Sequence, residues 1–441
     1  MEKAADISPA VSRRGAWGRS PQTFKGRAGG VKIKNAFLMR QPDSSYNPLM
    51  IYLDNNASTR PAPAVREAVC RALDEFFGNP SSGHLFGRRA RALIEEARGS
   101  VASLIGEADA SRIYFTSGGT ESNNIAIFGA AGTSSGTSRA GKDKMPVRGH
   151  IISQQTEHPA VLAPLNVLKE RGFEITLLPV DRNGVIELKA LEGAIRKETV
   201  LVSIMHANNE TGVIQPIEEA VRICKGKNQK TLFHTDAAQT VGKVPVDVER
   251  LGVDMLSVAA HKFYGPKGVG ALYIRDGARI KNTIMFGAGH ERGIRPGTEN
   301  TPYIAGLGAA CRLAKEELPA TAARLERFRQ MLFGFLEMEF PVVRINGGGA
   351  ARLPNTLNVS IPGVEGDRLV HHLADSVAIS AGSACHEGSK TPSAVLMAMG
   401  ASDEEAFCSV RISLGRETTE EEITEAAGLL RRAVLQLAQA R

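Results

Sequence analysis

The chain is short of the features that would give it a covalent, metallic or membrane framework. Its five cysteines (Cys70, Cys224, Cys311, Cys385 and Cys408) are scattered, odd in number and without CxxC spacing. That argues against a disulfide scaffold or a structural zinc site, and it fits a reducing cytoplasm. No apolar run approaches the ~18–20 residues that a membrane span requires. Aromatic residues make up only 5% of the chain, and the one tryptophan, Trp17, lies near the start. A basic surface is also missing from most of the molecule. The net charge is +7, but residues 1–49 carry nine Lys and Arg against three acids, so the rest is close to neutral. A nucleic-acid role for the folded body therefore loses its main support.

What remains is an ordinary globular composition, 42% hydrophobic and 23% charged over 441 residues. That length exceeds the ~250–300 residues at which one hydrophobic core stops growing, so two domains are expected. Residues 1–49 lack strong periodicity and are rich in Gly, Arg, Ser and Pro. We read them as a disordered basic leader or as sequence upstream of a start at Met50, and favour the second; an organellar targeting peptide is the alternative. From Pro61 onward the spacing predicts two helices, the first opened by Thr59 and by proline in its first turn, then a strand RIYFT and a glycine-rich turn entering a third helix. Residues 131–149 read as a polar loop. Strand and helix patterns then alternate through HIIS, EITLLPV, TVLVSIMHA and TLFHT, the signature of a mainly parallel α/β sheet. After Gly306 a long helix leads into a different pattern of short strands and helices, which predicts a smaller α+β domain joined by residues 50–64.

The chemistry concentrates between His234 and Arg275. One apolar run ends in His234-Thr235-Asp236 and a second in His261-Lys262, so an acid and a lysine stand at the exits of two predicted strands, where α/β sheets place ligands. Lys262 follows a run of apolar or small residues and precedes Gly265, Pro266, Gly268 and Gly270. A desolvated amine has a lowered pKa and becomes a nucleophile toward aldehydes. Pyridoxal phosphate is such an aldehyde, and its ring nitrogen needs a carboxylate, for which Asp236 is the candidate. A strand-end ion pair is the plain alternative for a lone Lys and Asp. Ser117-Gly118-Gly119-Thr120 lies between a strand and a helix, where glycine lets N–H groups close on a phosphate. Cys385 sits in ISAGSACHEGSKTPSAV, with Gly382, Ser383, Gly388 and Ser389 forming a loop able to move. Beside His386 and near lysine, its thiol can ionise below the reference value of about 8.5. The other four cysteines read as small core residues, and no metal site is expected.

The stretches HTDAAQTVGK, AAHKFYGPKGVGALYIR, TSGGTESNN, NNETG, GHERGIRPGT and SAGSAC, in this order-preserving set from Tyr52 to about Ala427, resemble the cysteine desulfurase and selenocysteine lyase family. These are fold-type I pyridoxal phosphate enzymes of the class V aminotransferase group. The resemblance implies a large domain, residues 65–310, around a mainly parallel seven-stranded sheet, and a small domain from residues 50–64 and 311–441 that carries the cysteine loop. It implies that Lys262 holds the cofactor, and that Gly119, Thr120, His261 and, from the other subunit of a homodimer, Thr298 hold its phosphate. It further implies that His158 stacks on the ring and assists catalysis, that Gln239 and Asn209 bond the phenolic oxygen and its surroundings, and that Arg411, with Asn209, takes the substrate carboxylate. The family often has serine where this chain has Ala259, which removes one hydroxyl donor from the phosphate site.

The expected activity is removal of sulfur from L-cysteine, giving L-alanine and a persulfide on Cys385. The acceptor would be an iron–sulfur scaffold protein, a tRNA-thiolation carrier or, for selenium, selenophosphate synthetase. Selenocysteine lyase is the rival reading. A plain aminotransferase with Cys385 as a bystander ranks below both and would be excluded by alanine formed without a 2-oxo acid acceptor; a non-catalytic scaffold is disfavoured because Lys262, Asp236 and Cys385 are all present.

Overall fold

The computed structural model describes residues 50–132, 149–281, 284–382, 384–386 and 389–439. The leader, and most of the polar 131–149 segment, lie outside the described residues. The chain enters through β1 (Ile51–Tyr52) and then α1 (Pro63–Glu75), with proline in the first turn, where its missing N–H costs nothing. Thr59 does not open that helix, although the sequence predicts it; its hydroxyl donates to the carbonyl of His261 and accepts from Tyr264 N. The helix α2 (Leu85–Leu104) begins at His84, whose side chain accepts from Gly87 N. Next come β2 (Ile113–Thr116) and α3 (Gly119–Gly132).

The alternation predicted from the sequence is then realised. It runs β3 (His150–Gln154), α4 (Pro159–Glu170), β4 (Glu174–Leu178), α5 (Leu188–Ala194), β5 (Thr199–Ser203), α6 (Ile217–Lys227), β6 (Leu232–Asp236), α7 (Val248–Leu251), β7 (Met255–Ala259) and β8 (Gly270–Ile274). These strands form one seven-stranded sheet in the order β2-β8-β7-β6-β5-β3-β4. Only β8 runs antiparallel to its neighbours, between β2 and β7. Every residue of β3, β7 and β8 is buried, as expected of strands covered on both faces. Adjacent residues go to opposite faces. Ile152, Val202, Phe233 and Leu256 join a core that includes Val65, Val101 and Leu307. Ile151, Leu201, Met255 and Leu272 join another with Ile127 and Leu165 from α3 and α4. At roughly 1.5–3 kcal/mol for each fully buried Val, Leu or Ile, this two-sided packing fixes the strand ends to which the functional side chains are attached.

The helix α8 (Thr301–Glu339) has 39 residues, a length of about 58 Å at 1.5 Å per residue. Its first part places Ile304, Leu307 and Ala310 in the sheet core, and its last part places Leu325, Phe328, Leu332 and Leu336 in a separate one. That second core lies on β9 (Arg344–Ile345), β10 (Thr356–Ser360), α9 (Gly366–His372), β11 (Val377–Ala378), β12 (Ser380–Ala381), β15 (Ser409–Ser413) and α12 (Glu420–Gln439). Between β12 and β15 run β13 (Ala384–His386), β14 (Ser389–Thr391), α10 (Ala394–Ala398) and α11 (Asp403–Phe407). The second sheet is antiparallel, ordered β12-β15-β10-β9. Leu53 is buried in its core, and β1 pairs in parallel with β11, so the start of the described chain is joined to its last third. No helix among the described residues is long and apolar enough to cross a membrane.

Candidate active site

Two strand ends and one helix start meet in a pocket of about 220 Å³ lined by Gly119, Thr120, Asn123, His158, Asn209, Asp236, Gln239, Ala259, His261 and Lys262, among others. Asp236 is the last residue of β6 and is buried. Asn123 Nδ2 donates to its Oδ2 at 2.6 Å, and Ala238 N donates to its Oδ1 at 2.9 Å. Those two donors hold the carboxylate in one orientation. Lys262 follows β7 by three residues. Its Nζ donates to the backbone oxygens of Asn56 and Ala57 at 2.7 and 2.9 Å. Burial, reinforced by Arg411 and opposed by Asp236 and Asp54, pulls its pKa down to about 8. The amine therefore gives up its proton well below the ordinary lysine range, the direction a nucleophilic lysine requires.

At the other end of the pocket Gly119 begins α3, and the first N–H groups of a helix have no intrahelical acceptor. A Cβ at Gly119 would stand 3.3 Å from that of Ala259 and 3.8 Å from that of Ala238. Three small residues therefore keep this end open. His261 lies beside it with Nδ1 3.3 Å from Ser58 Oγ; burial first, then Lys262, lowers its pKa to about 4. His158 is both things that a histidine at a helix start can be. Its Nδ1 accepts from Ala160 N at 3.0 Å as the cap of α4, and its ring lines the pocket. Desolvation holds its pKa down, with Asp236 opposing and Lys262 adding to the effect, so Nε2 carries the proton of the neutral ring.

These residues suit pyridoxal phosphate by their chemistry. The pocket has a free-running helix start for the phosphate, a fixed buried carboxylate for the ring nitrogen, and between them a depressed lysine amine. Ala259 does line the pocket and offers no hydroxyl. Thr298 is exposed and is not among the lining residues of its own chain. Gln239 lines the pocket, but its amide is already held: Nε2 donates to Asn56 O at 3.0 Å and Oε1 accepts from Lys243 Nζ at 2.6 Å.

Arg411 is the middle residue of β15, between buried Val410 and Ile412. Its Nη2 donates to Asp54 Oδ1 at 2.7 Å and Ser380 Oγ at 2.8 Å, and its Nη1 to Asn209 O at 3.1 Å. The buried Nε has no partner. Arg411 pairs across the sheet with Ser380 of β12, and Cys385 is five residues further on, in the hairpin β13–β14 opposite Lys390. Five residues reach at most about 17 Å, so topology tethers Cys385 to the arginine's neighbourhood. The stretch that reads as a loop is in part this hairpin, and Ser383 and Gly388 lie outside the described residues. Gly382 must be glycine: a Cβ there would come within 1.8 Å of Ser409 Oγ.

Several residues escaped the sequence reading. Asp54 and Ser380 hold Arg411; Asn56 holds Gln239 and Lys262, and Lys243 holds Gln239. Glu157 is buried behind the pocket, its Oε1 accepting from Met205 N at 2.6 Å and Gln154 Nε2 at 3.1 Å; burial pushes its pKa up to about 8. The DNNAST stretch at 54–59 was the available signal for Asp54 and Asn56. Among the other cysteines Cys224, Cys311 and Cys408 are buried, but Cys70 is exposed. It sits on the outer face of α1, whose inner face carries Val65 and Ala72. A second, larger cavity of about 470 Å³ is lined by Arg91, Arg98, His290 and Glu291. There Arg98 and Glu291 form a buried bidentate pair with both contacts at 2.8 Å.

The family model "Aminotransferase class-V" matches residues 51–425. The chain is 48% identical over 387 residues to a cysteine desulfurase, IscS, of Aeromonas hydrophila, covering 87% of this chain and 92% of that one. Among solved structures, a NifS-like protein superposes with a TM-score of 0.79 at 39% identity, covering 88% of this chain and 100% of the other. SspA, solved in complex with cysteine, gives 0.71 at 37% identity, with 83% and 99% covered. The chain with this lysine–aspartate pocket therefore belongs to the class-V aminotransferase family and, within it, to the pyridoxal phosphate-dependent cysteine desulfurases.

Proposed function

We propose that the pocket around Lys262 holds pyridoxal 5′-phosphate and serves to move the sulfur of L-cysteine onto Cys385. The observation that carries this reading is the placing of a lysine amine with a pKa of about 8 in one pocket with a fixed buried carboxylate and an open helix start. Gly119, Thr120 and His261 would hold the phosphate, Asp236 the ring nitrogen, His158 the ring face, and Gln239 and Asn209 the phenolic side. When bound, the cofactor supplies an aldehyde that condenses with amines and a protonated ring that withdraws electrons from the substrate Cα. Arg411 takes the substrate carboxylate in place of Asp54, because a guanidinium binds a carboxylate in bidentate fashion.

Lys262 Nζ accepts the proton from Cα. The Cys385 thiolate attacks the substrate sulfur: the new S–S bond forms as the C–S bond breaks, and the carbon keeps the electron pair and is protonated to the methyl group of alanine. Cys385 is left as a persulfide. Its place in a hairpin tethered to β12 supports a carrier that visits both the substrate and an external acceptor such as an iron–sulfur scaffold protein. We read the two cores as a large domain, residues 65–310, and a small one of residues 50–64 and 311–441. We read the working unit as a cytoplasmic homodimer in which the exposed Thr298 reaches the partner's phosphate. Incubation with L-cysteine and dithiothreitol should release sulfide and alanine in equal amounts, and Lys262→Ala should abolish both. Alanine formed without sulfide, or only with a 2-oxo acid present, would overturn the reading.

A further inference from the structure

Lys243 lies four residues beyond Gln239 and reaches back to the site with neutral acceptors as partners. Its Nζ donates to Gln239 Oε1 at 2.6 Å and to Asn56 Oδ1 at 3.0 Å. Gln239 Nε2 donates to Asn56 O at 3.0 Å, and Lys262 Nζ donates to that same oxygen at 2.7 Å. The Asn56 side chain is further held by Thr356 Oγ1 at 2.8 Å, Asn209 O at 3.3 Å and Asn355 Nδ2 at 3.1 Å, and its N–H donates to Ser413 Oγ at 2.9 Å. Both amides have only one sensible orientation. The nitrogen end of Asn56 faces the carbonyl of Asn209 and that of Gln239 faces the carbonyl of Asn56, and carbonyls only accept. Both amide oxygens are thereby turned to Lys243.

We propose that Lys243 is a positioning residue: by holding Gln239 Oε1 and Asn56 Oδ1 together, it fixes the carbonyl on which the Lys262 amine rests and keeps the Gln239 amide set as a donor at the pocket wall. Burial, with Lys262 and Arg411 nearby, lowers its own pKa well below 10.5. Its contribution is the pair of hydrogen bonds it donates to Gln239 Oε1 and Asn56 Oδ1. A lysine desolvated without a carboxylate is costly as a mere structural choice. The inference rests on the pyridoxal phosphate reading for what Gln239 faces, while the hold on Lys262 is independent of it.

The test uses the full chain carrying Lys243→Met, which removes the donors at similar volume. In cofactor-free protein, acetic anhydride should acylate Lys262 about fivefold faster than in the parent, measured by peptide mass spectrometry against exposed Lys169. The dissociation constant for pyridoxal 5′-phosphate should rise about tenfold. Lys243→Arg should restore both to within about twofold, and Lys243→Gln, which keeps one donor group, should fall between. In a Gln239→Ala background the Lys243→Met effect on the dissociation constant should shrink below about twofold, because the two residues act as one unit. Unchanged acylation and affinity in Lys243→Met, or an equal affinity loss with and without Gln239, would overturn the proposal. A parent chain that takes up no pyridoxal phosphate, yet shows the acylation change, would overturn the cofactor reading and leave the hold on Lys262 standing.

Discussion

Lys262→Met should make the cofactor-free protein more stable at pH 7, because the site holds its lysine at a cost. The folded amine has a pKa of about 8 against an ordinary 10.5, chiefly through burial. At 1.36 kcal/mol for each pKa unit, that gap corresponds to about 3.4 kcal/mol, less a discount for residual exposure. Methionine fills the volume of the lysine stem without the charge. It also gives up the two hydrogen bonds to Asn56 O and Ala57 O, a loss of about 1–2 kcal/mol. Asn56 O retains Gln239 as a donor. The net gain expected at pH 7 is therefore about 1–2 kcal/mol.

The pH dependence carries a definite sign. Below pH 8 the amine is protonated in both states and the penalty is complete. Between pH 8 and 10.5 the unfolded chain binds the proton and the folded one does not, so parent stability rises with pH. The advantage of the variant should fade over that window and reverse slightly above it, leaving only the lost hydrogen bonds. Urea unfolding of both proteins at pH 7, 8, 9 and 10 measures this. A variant less stable than the parent at pH 7, or an advantage undiminished at pH 10, would refute the reasoning.

Cys385→Ser should keep pyridoxal phosphate uptake and its Lys262-dependent absorbance but lose sulfide release by about a hundredfold or more, because a serine hydroxyl cannot accept sulfur; mass spectrometry should find the persulfide only on Cys385. Alkylation of Cys385 should be measured in a Cys70→Ser background, since Cys70 is itself exposed. Arg411→Lys should raise KM for cysteine about tenfold or more, because lysine cannot reproduce the planar two-pronged contact; steady-state kinetics decides, and an unchanged KM would remove Arg411 from the carboxylate site. Glu291→Ala should destabilise the protein by about 3–5 kcal/mol by leaving Arg98 buried without its bidentate partner, with Glu95 at 3.1 Å as partial compensation. It also removes the acceptor of Phe115 N, so denaturant unfolding should show the loss directly.

The part of the site that was legible in the sequence is the part carried by strand ends. Asp236 and Lys262 follow apolar runs that read as sheet strands, and Gly119 follows RIYFT in the same way, so pattern put each at a strand exit and the resemblance joined them into one site. Arg411 was assigned through the resemblance, and its place between buried Val410 and Ile412 on β15 fits that role. What was not legible depends on contacts between distant parts of the chain. Asn56 bonds Ser413, Thr356 and Asn355 across roughly 300 residues or more, and Asp54 meets Arg411 at a separation of 357. No local period encodes such pairings.

The misreadings have the same origin. Thr59 has the chemistry of a helix cap, yet the carbonyl of His261 takes its hydroxyl. Cys70 has the composition of a core residue, yet the turn of α1 points it outward. Those long-range contacts all converge on residues 54–59, which lie on neither the seven-stranded nor the four-stranded sheet. An isolated bridge joins Asp54 to Ser413 of β15, and Thr59 N donates to the carbonyl of His261 at 2.9 Å. The short DNNAST segment therefore fixes the end of the strand that bears Arg411 against the turn that bears Lys262. Once those two are fixed, the distance between the carboxylate-binding guanidinium and the reactive amine is set by six residues that show no periodic pattern at all.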